Sequence, residues 1–384
     1  MGREDEGGLT VRDVGIRPAG TETPVEGKPT NPAGDGSGRK KRTAARVDVP
    51  NGPCPFCGEA AGWDPYRIRE MMFGTREPFD YGRCRACGSL TIARVPDDLG
   101  RHYPDAYYAN TPRATIEADS LVRRIATREV VRQELFGGHP RRAAIARRFG
   151  GEVPRQLAEV RTLIRDGGLR SFDDPILDVG SGATPARLAI LAKVGFRRLL
   201  GIEPFIPRDL SYHGVRIQKG YLDDVGGGWA LVMFHHSLEH VPDPLATLSA
   251  ARARLRADGR CLIRIPVADG VMWRRFGVDW AELDAPRHLV LPSRAGVDAL
   301  ARRAGFEVIR TTWESGDWEL IASEQYQHDV GMFEPASLFA DPPGRELERD
   351  QAVEYKQDAR QMNANGDAGR AAFWLRPIPG PATD

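Results

Sequence analysis

No apolar run in this 384-residue chain approaches the roughly 18 residues needed to cross a bilayer, which excludes a helical membrane span. The Met1 end is polar and does not read as an export leader, so a cytoplasmic location is expected. Net charge is nearly absent as well. Fifty-four Lys and Arg stand against 53 Asp and Glu, a balance of +1, so the whole molecule has no strong pull toward nucleic acid or an acidic membrane. The charge is unevenly placed, however. Arg recurs from Arg123 to Arg165 in a stretch that otherwise reads as helix, which is most simply a solvated face. Internal repeats are missing too.

Cysteine is scarce, with five in the chain, yet four of the five fall into two close pairs. In a chain without a secretion signal, paired cysteines suggest a metal before they suggest disulfides. Cys54 and Cys57 stand in CPFCG, and Cys84 and Cys87 in CRACG. The glycine after each pair lets the backbone curl so that amides face the sulfurs, and four thiolates close a tetrahedral zinc site with no open position. Such an ion holds a fold together and does no chemistry. Cys261, inside the apolar run CLIRIP, reads as a buried small hydrophobe.

Residues 1–50 are rich in Gly, Pro, Thr and charge and lack apolar periodicity, so a disordered tail is expected there, with the basic run Arg39–Arg42 solvated. A zinc ribbon over 51–95 and a helical linker or cap over 96–172 follow, the latter broken by Gly137, Gly138, Gly150 and Gly151. Apolar strands then alternate with helices: ILDVG, PARLAILAKVG, RLLGIEP, ALVMFHH, a helix over 243–255, GRCLIRIP, AGVDALARRAGF and EVIRTTW. That alternation predicts a parallel sheet covered on both faces. A long irregular stretch comes next, with helix expected in its middle over 335–361, and AAFWLR closes the fold. Residues 377–384 read as a second tail.

LDVGSGATPARLAIL is the most informative segment. An apolar strand ends in Asp178, a turn follows at Gly180-Ser181-Gly182, and a helix begins shortly after. Glycine is needed where the backbone turns sharply and a ligand lies against it. The next strand ends in Glu203, placed to accept hydrogen bonds from both hydroxyls of a ribose. A nicotinamide enzyme would share those features, but Pro185 stands where its third glycine belongs.

ILDVGSGA, GIEP, HHSLEHVPDP and DGRCLIRIP together resemble the successive motifs of class I S-adenosylmethionine-dependent methyltransferases, in the subgroup with a Leu-Glu-His-Val signature. The resemblance implies an α/β fold, a Rossmann-like seven-stranded methyltransferase sheet over 173–376, with the zinc ribbon and helical segment ahead of it. It implies that Asp178, Gly180 and Gly182, with Ser181 between them, border the methionine part of S-adenosylmethionine. Glu203 then holds the ribose, Asp223 lies near adenine, and His235 or His236 stands against the cofactor. One departure is Trp229-Ala230, where many members have an acid; that position serves structure. A ribbon ahead of such a domain is similar to that of bacterial sugar methyltransferases.

Methyl transfer often needs a base, and the eight histidines are the first candidates. His288, in DAPRHLVLPS, matches one histidine of the sugar C-methyltransferases. Those enzymes have a Tyr and a Glu just before it, where this chain reads Ala285 and Arg287, so the carry-over stops at His288. His240 and His236 of the signature segment are the other candidates, although His240 equally suits a loop-fixing role. Arg287 is a candidate for holding a phosphate or carboxylate of the acceptor. The expected partner is a small-molecule methyl acceptor such as a nucleotide-linked sugar. An RNA methyltransferase gripping its substrate through the ribbon and Arg-rich helices is the alternative, as is a non-catalytic scaffold. Near-neutral charge and the lack of clustered aromatics on the ribbon count against nucleic acid. Oligomeric state is not legible.

Overall fold

The computed structural model describes residues 47–104, 120–152, 157–340, 343–344 and 348–379. The expected tails lie outside the described residues over 1–46, including Arg39–Arg42, and over 380–384; so does 105–119 of the helical segment.

The N-terminal part forms β1 (Trp63–Arg69), β2 (Pro78–Cys84) and β3 (Leu90–Ile92), an antiparallel meander in which Tyr66 opposes Tyr81. Helices α1 (Leu121–Phe136), α2 (Pro140–Arg148) and α3 (Leu157–Gly167) follow. Ser120 caps α1 by accepting from the Arg123 amide, and Gly137 ends it in the left-handed conformation, where a side chain would be strained. Pro140 then sits in the first turn of α2, where its missing N–H costs nothing.

The main body runs β4 (Ile176–Val179), α4 (Ala186–Val194), β5 (Leu199–Ile202), β6 (Leu210–Tyr212), β7 (Val215–Gln218), β8 (Trp229–His235), α5 (Pro244–Arg254), β9 (Leu255–Pro266), α6 (Val271–Phe276), β10 (Val290–Leu291), α7 (Arg294–Arg303), β11 (Phe306–Trp313), α8 (Asp317–Gln327), α9 (Arg349–Ala364) and β12 (Arg370–Pro377). Its large sheet has the order β11-β12-β9-β8-β4-β5-β7-β6. Strands β9, β8, β4, β5 and β7 are parallel, while β12 lies antiparallel between β9 and β11. Continuous burial of Ala230 to Phe234 along β8 explains why that strand reads as an unbroken apolar run. From β4 the chain winds outward in both directions, so the crevice beyond the carboxyl ends of β4 and β8 is where such a sheet takes a ligand.

Two expectations need correction. The sheet has eight strands rather than seven, because β6 pairs antiparallel with β7 at the edge. The hairpin turns on His213 and Gly214, both at positive φ (50° and 80°), the backbone hand that suits strand twist. The stretch after β11 is also not irregular at its start, since α8 occupies it. Glu319, Ser323 and Gln325 are buried beside Leu320, Ile321 and Tyr326, so the polar residues of α8 conceal its apolar period.

The cysteine-bearing meander is continuous with the main body. Strand β10 pairs antiparallel with β3, Val290 opposite Thr91 and Leu291 opposite Leu90, completing a four-stranded sheet of order β1-β2-β3-β10. One hydrophobic core joins Phe56, Tyr81 and Leu90 to Val232, Phe234 and Leu291.

Candidate functional site

At the end of β4 the chain turns through Gly180 and Gly182 at φ 69° and 65°. A Cβ on Gly180 would meet the Ser237 Cβ at 2.6 Å, so glycine is required by packing as well as by backbone hand. The Ser237 hydroxyl donates to the Val179 carbonyl at 2.6 Å, which stitches this turn to the loop after β8. Glu203, just past β5, accepts from the Gly182 amide at 3.0 Å and the Phe205 amide at 3.2 Å. Gly201 in β5 leaves room for the Ser181 hydroxyl, 2.5 Å from where its Cβ would stand. Asp178, Gly180, Ser181, Gly182 and Glu203 are thereby brought into one assembly.

Two side chains here carry buried polar atoms that have no hydrogen bond. The buried Asp178 Oδ1 lacks a hydrogen bond, and burial lifts its carboxyl to about 7. Both ring nitrogens of His235, the last residue of β8, are likewise without a hydrogen-bond partner. Native interiors satisfy such groups, so orphans beside the glycine turn fit a polar ligand that supplies the missing bonds. Asp223 is different: its side chain is 83% exposed and forms an ion pair with Arg254 at 2.8 Å.

A second cluster forms where the loop after β8 meets the segment before β10. His236 adopts φ 52°, and its Nδ1 stands 3.3 Å from Glu239 Oε1. His240 Nδ1 lies 2.9 Å from the Arg287 carbonyl, and His288 Nδ1 lies 2.7 Å from the Glu282 carbonyl. A carbonyl only accepts, so each Nδ1 carries the proton and each Nε2 has a free lone pair. Burial favours the neutral ring in both, holding His240 down at about 4 and lowering His288. The two rings meet edge to face with centroids 4.8 Å apart. The Leu289 amide donates to the Glu239 carbonyl at 2.8 Å, which joins the two segments.

Arg287 does not face an acceptor. It is fully buried, and its guanidinium is saturated by Asp284 at 2.6 Å, Glu70 at 2.8 Å and the His102 carbonyl at 3.0 Å. The expected anion-holding role is corrected to an internal clamp: the forked donor set is already satisfied by carboxylates from two regions of the chain. Tyr81 of β2 adds to the clamp by donating to the His288 carbonyl at 2.8 Å. Glu239, Glu282 and Asp284 went unread as site residues, although Glu239 lies inside the signature segment. Glu70 had no signal at all, because its partner is 217 positions away.

The four paired cysteines converge. Cys54 and Cys87 sulfurs are 3.7 Å apart, Cys57 and Cys84 sulfurs 3.8 Å, and all four lie within 4.8 Å of one another. A tetrahedron of about 2.3 Å zinc–sulfur bonds has edges of about 3.8 Å, so the set fits one ion. Gly58 and Gly88, at φ 80° and 82°, donate to the Cys54 and Cys84 carbonyls at 2.8 Å and close the two knuckles.

Residues 142–311 match the family model described as a methyltransferase domain. That stretch holds the glycine turn, Glu203, the signature loop and His288, and leaves the four paired cysteines outside it. Over that stretch the chain is similar to a methyltransferase domain. Among solved structures, the chain is similar to a putative sarcosine dimethylglycine methyltransferase from Galdieria sulphuraria, at 12% identity, 58% of this chain, 86% of that chain and a TM-score of 0.36. It is similar to a geranyl diphosphate C-methyltransferase from Streptomyces coelicolor A3(2), at 12% identity, 58% of this chain, 79% of that chain and 0.36. A SAM dependent methyltransferase from Archaeoglobus fulgidus gives 16% identity, 60% of this chain, 97% of that chain and 0.35. No curated protein matches the chain by sequence. Among the described residues no helix is long and apolar enough to cross a membrane.

Proposed function

We propose that this chain transfers a methyl group from S-adenosylmethionine to a small-molecule acceptor, in the crevice beyond β4 and β8, with one structural zinc on Cys54, Cys57, Cys84 and Cys87. The observation that carries the reading is the glycine turn, closed by Glu203 and flanked by the orphaned Asp178 Oδ1. Bound there, S-adenosylmethionine supplies a methyl on a positively charged sulfonium. Asp178 would compensate positive charge at the methionine end, and Glu203 would accept from the ribose hydroxyls. Asp223, on the rim, would stand nearest adenine, and His235 would find its missing partners in the cofactor. His236, His240 and His288 would form the acceptor side, each free Nε2 of the last two being able to take a proton. A nucleotide-linked sugar or related intermediate is the expected acceptor class. An RNA acceptor has less support, because Arg147 and Arg161 are engaged by Glu134, and Arg123 by Glu152.

Calorimetry on the full chain tests the reading. S-adenosylmethionine should bind; Gly180→Val should abolish binding, and Glu203→Ala should weaken it. NADH binding without S-adenosylmethionine binding would overturn the assignment. Cofactor binding with no turnover on any acceptor in a metabolite extract would leave the scaffold reading standing.

A further inference from the structure

We infer that Glu239, His240 and His288 bind one divalent transition-metal ion beside the cofactor crevice, with a coordination position left for an oxygen of the methyl acceptor. The second half of this inference rests on the methyl-transfer reading above; the first half stands on the geometry alone.

The ligand atoms of these three side chains lie within 4.8 Å of one another. Backbone contacts also decide which ring nitrogen each histidine can offer. Both imidazoles spend Nδ1–H on a backbone carbonyl, Arg287 for His240 and Glu282 for His288, which fixes the tautomer with Nε2 as the donor to an ion. Outer-shell hydrogen bonds of this kind orient ligating histidines generally. The two ligand-bearing segments are also held to each other by the Leu289 amide on the Glu239 carbonyl.

Glu239 is the independent observation. It is 0% exposed, and neither carboxylate oxygen has a hydrogen bond. Its close polar neighbour is His236 Nδ1 at 3.3 Å; a carboxyl buried with no hydrogen bond is costly to ionise, and an ion within reach of it and of both histidines would remove that cost. The surroundings lean the same way. Carboxyl groups of Glu70, Glu239, Glu282, Asp284 and Glu319 are packed into this end of the molecule, with Arg287 and Arg370 as the nearby guanidinia. The residues next to Ser237 link this site to the cofactor turn: Ser237 holds the Val179 carbonyl, and His236 stands against Glu239.

Two imidazoles and one carboxylate suit zinc, iron, cobalt or manganese better than calcium or magnesium, which prefer all-oxygen sets. Three protein ligands leave the coordination sphere open, unlike the four thiolates of the ribbon. The acceptor class is therefore one that offers an oxygen donor, whether hydroxyl, carbonyl or enolate.

Cobalt(II) chloride is the probe, titrated into the zinc-loaded full chain and followed by visible absorption. About one Co(II) should bind per chain with weak d–d bands and no intense sulfur charge-transfer band, which separates this site from the cysteines. Glu239→Gln and His288→Ala should each weaken Co(II) binding by at least ~10-fold. The surface variant Glu307→Gln should bind as the wild type does. Melting temperature and S-adenosylmethionine calorimetry run beside each variant; if His288→Ala does not fold, Glu239→Gln and His240→Gln carry the test. No Co(II) binding in the wild type, or binding unchanged in Glu239→Gln, overturns the inference even where S-adenosylmethionine binds. Turnover lost in His288→Ala with Co(II) affinity intact would make His288 a base and not a ligand. Co(II) bound with no S-adenosylmethionine binding would instead remove the methyl-transfer reading and leave the metal site.

Discussion

The cysteine cluster and the histidine–glutamate cluster are both sets of ligand-type side chains, and β10 connects them. His288 lies two residues before β10; Ser293 lies two residues after it and donates to the Cys87 carbonyl. The cysteine set is built from two local knuckles, each closed by its own glycine and each complete in five residues. The other set is built from loops that meet only because β8 and the segment before β10 fold together. Local closure sets the four sulfurs of the first within 4.8 Å of one another. Tertiary closure leaves the second with free lone pairs and a buried carboxyl that has no hydrogen bond. The pairing of β3 with β10 and the Arg287 clamp join the two sets within one fold.

The largest expected effect comes from breaking the support. A strong chelator, or Cys84→Ser, should remove the zinc, whose binding free energy at such sites is of order 10–16 kcal/mol and is largely folding free energy. The melting temperature should drop steeply. Because β3 pairs with β10, limited proteolysis should also open the chain near residues 284–293. Zinc loss with unchanged protection of that segment would show the two regions to be uncoupled.

Arg287 sharpens the same point at a smaller scale. Arg287→Ala would leave Glu70 and Asp284 buried without their cation, which costs about 3–5 kcal/mol. Arg303→Ala removes an exposed side chain that donates to the Pro55 and Phe56 carbonyls, and should cost about 1 kcal/mol. Urea unfolding that ranks the two equally would deny Arg287 its role in tying the N-terminal meander to the segment before β10.

The smallest effect lies at the cofactor end, away from both clusters. Burial raises Asp178 to about 7, against an ordinary aspartate near 3.9. A carboxyl with a raised folded pKa contributes stability that is full below about pH 4 and is lost as pH rises through 7. The cofactor-free chain should therefore lose melting temperature between about pH 4 and pH 7 through this group, and Asp178→Asn should flatten that decline. S-adenosylmethionine, bringing positive charge, should bind more tightly above pH 7 in the wild type but not in the Asn variant. Equal slopes for both proteins would show that Asp178 is not the buried group that titrates.

Much of this was legible in the residues. Gly180, Gly182 and Glu203 sit where strand-ending motifs put them, because each acts through backbone or side chain at the end of its own strand. The cysteine pairs are equally readable, since a knuckle needs only its two thiols and the following glycine. Arg287 was misread because its neighbours in sequence do not reveal Glu70. Helix α8 was hidden by buried polar residues, and β6 by its three-residue length.

What the sequence alone determined is whatever depends on near neighbours: strand and helix alternation, the glycine turn and the two cysteine knuckles. The tertiary structure decided what those loops face. It put Glu239 against two imidazoles, turned Arg287 inward, and ran the ribbon's sheet on into β10. The reason is physical. Hydrogen bonds and turns act over a few residues and leave a pattern in the chain, whereas burial and charge pairing depend on groups that become neighbours only when the core closes.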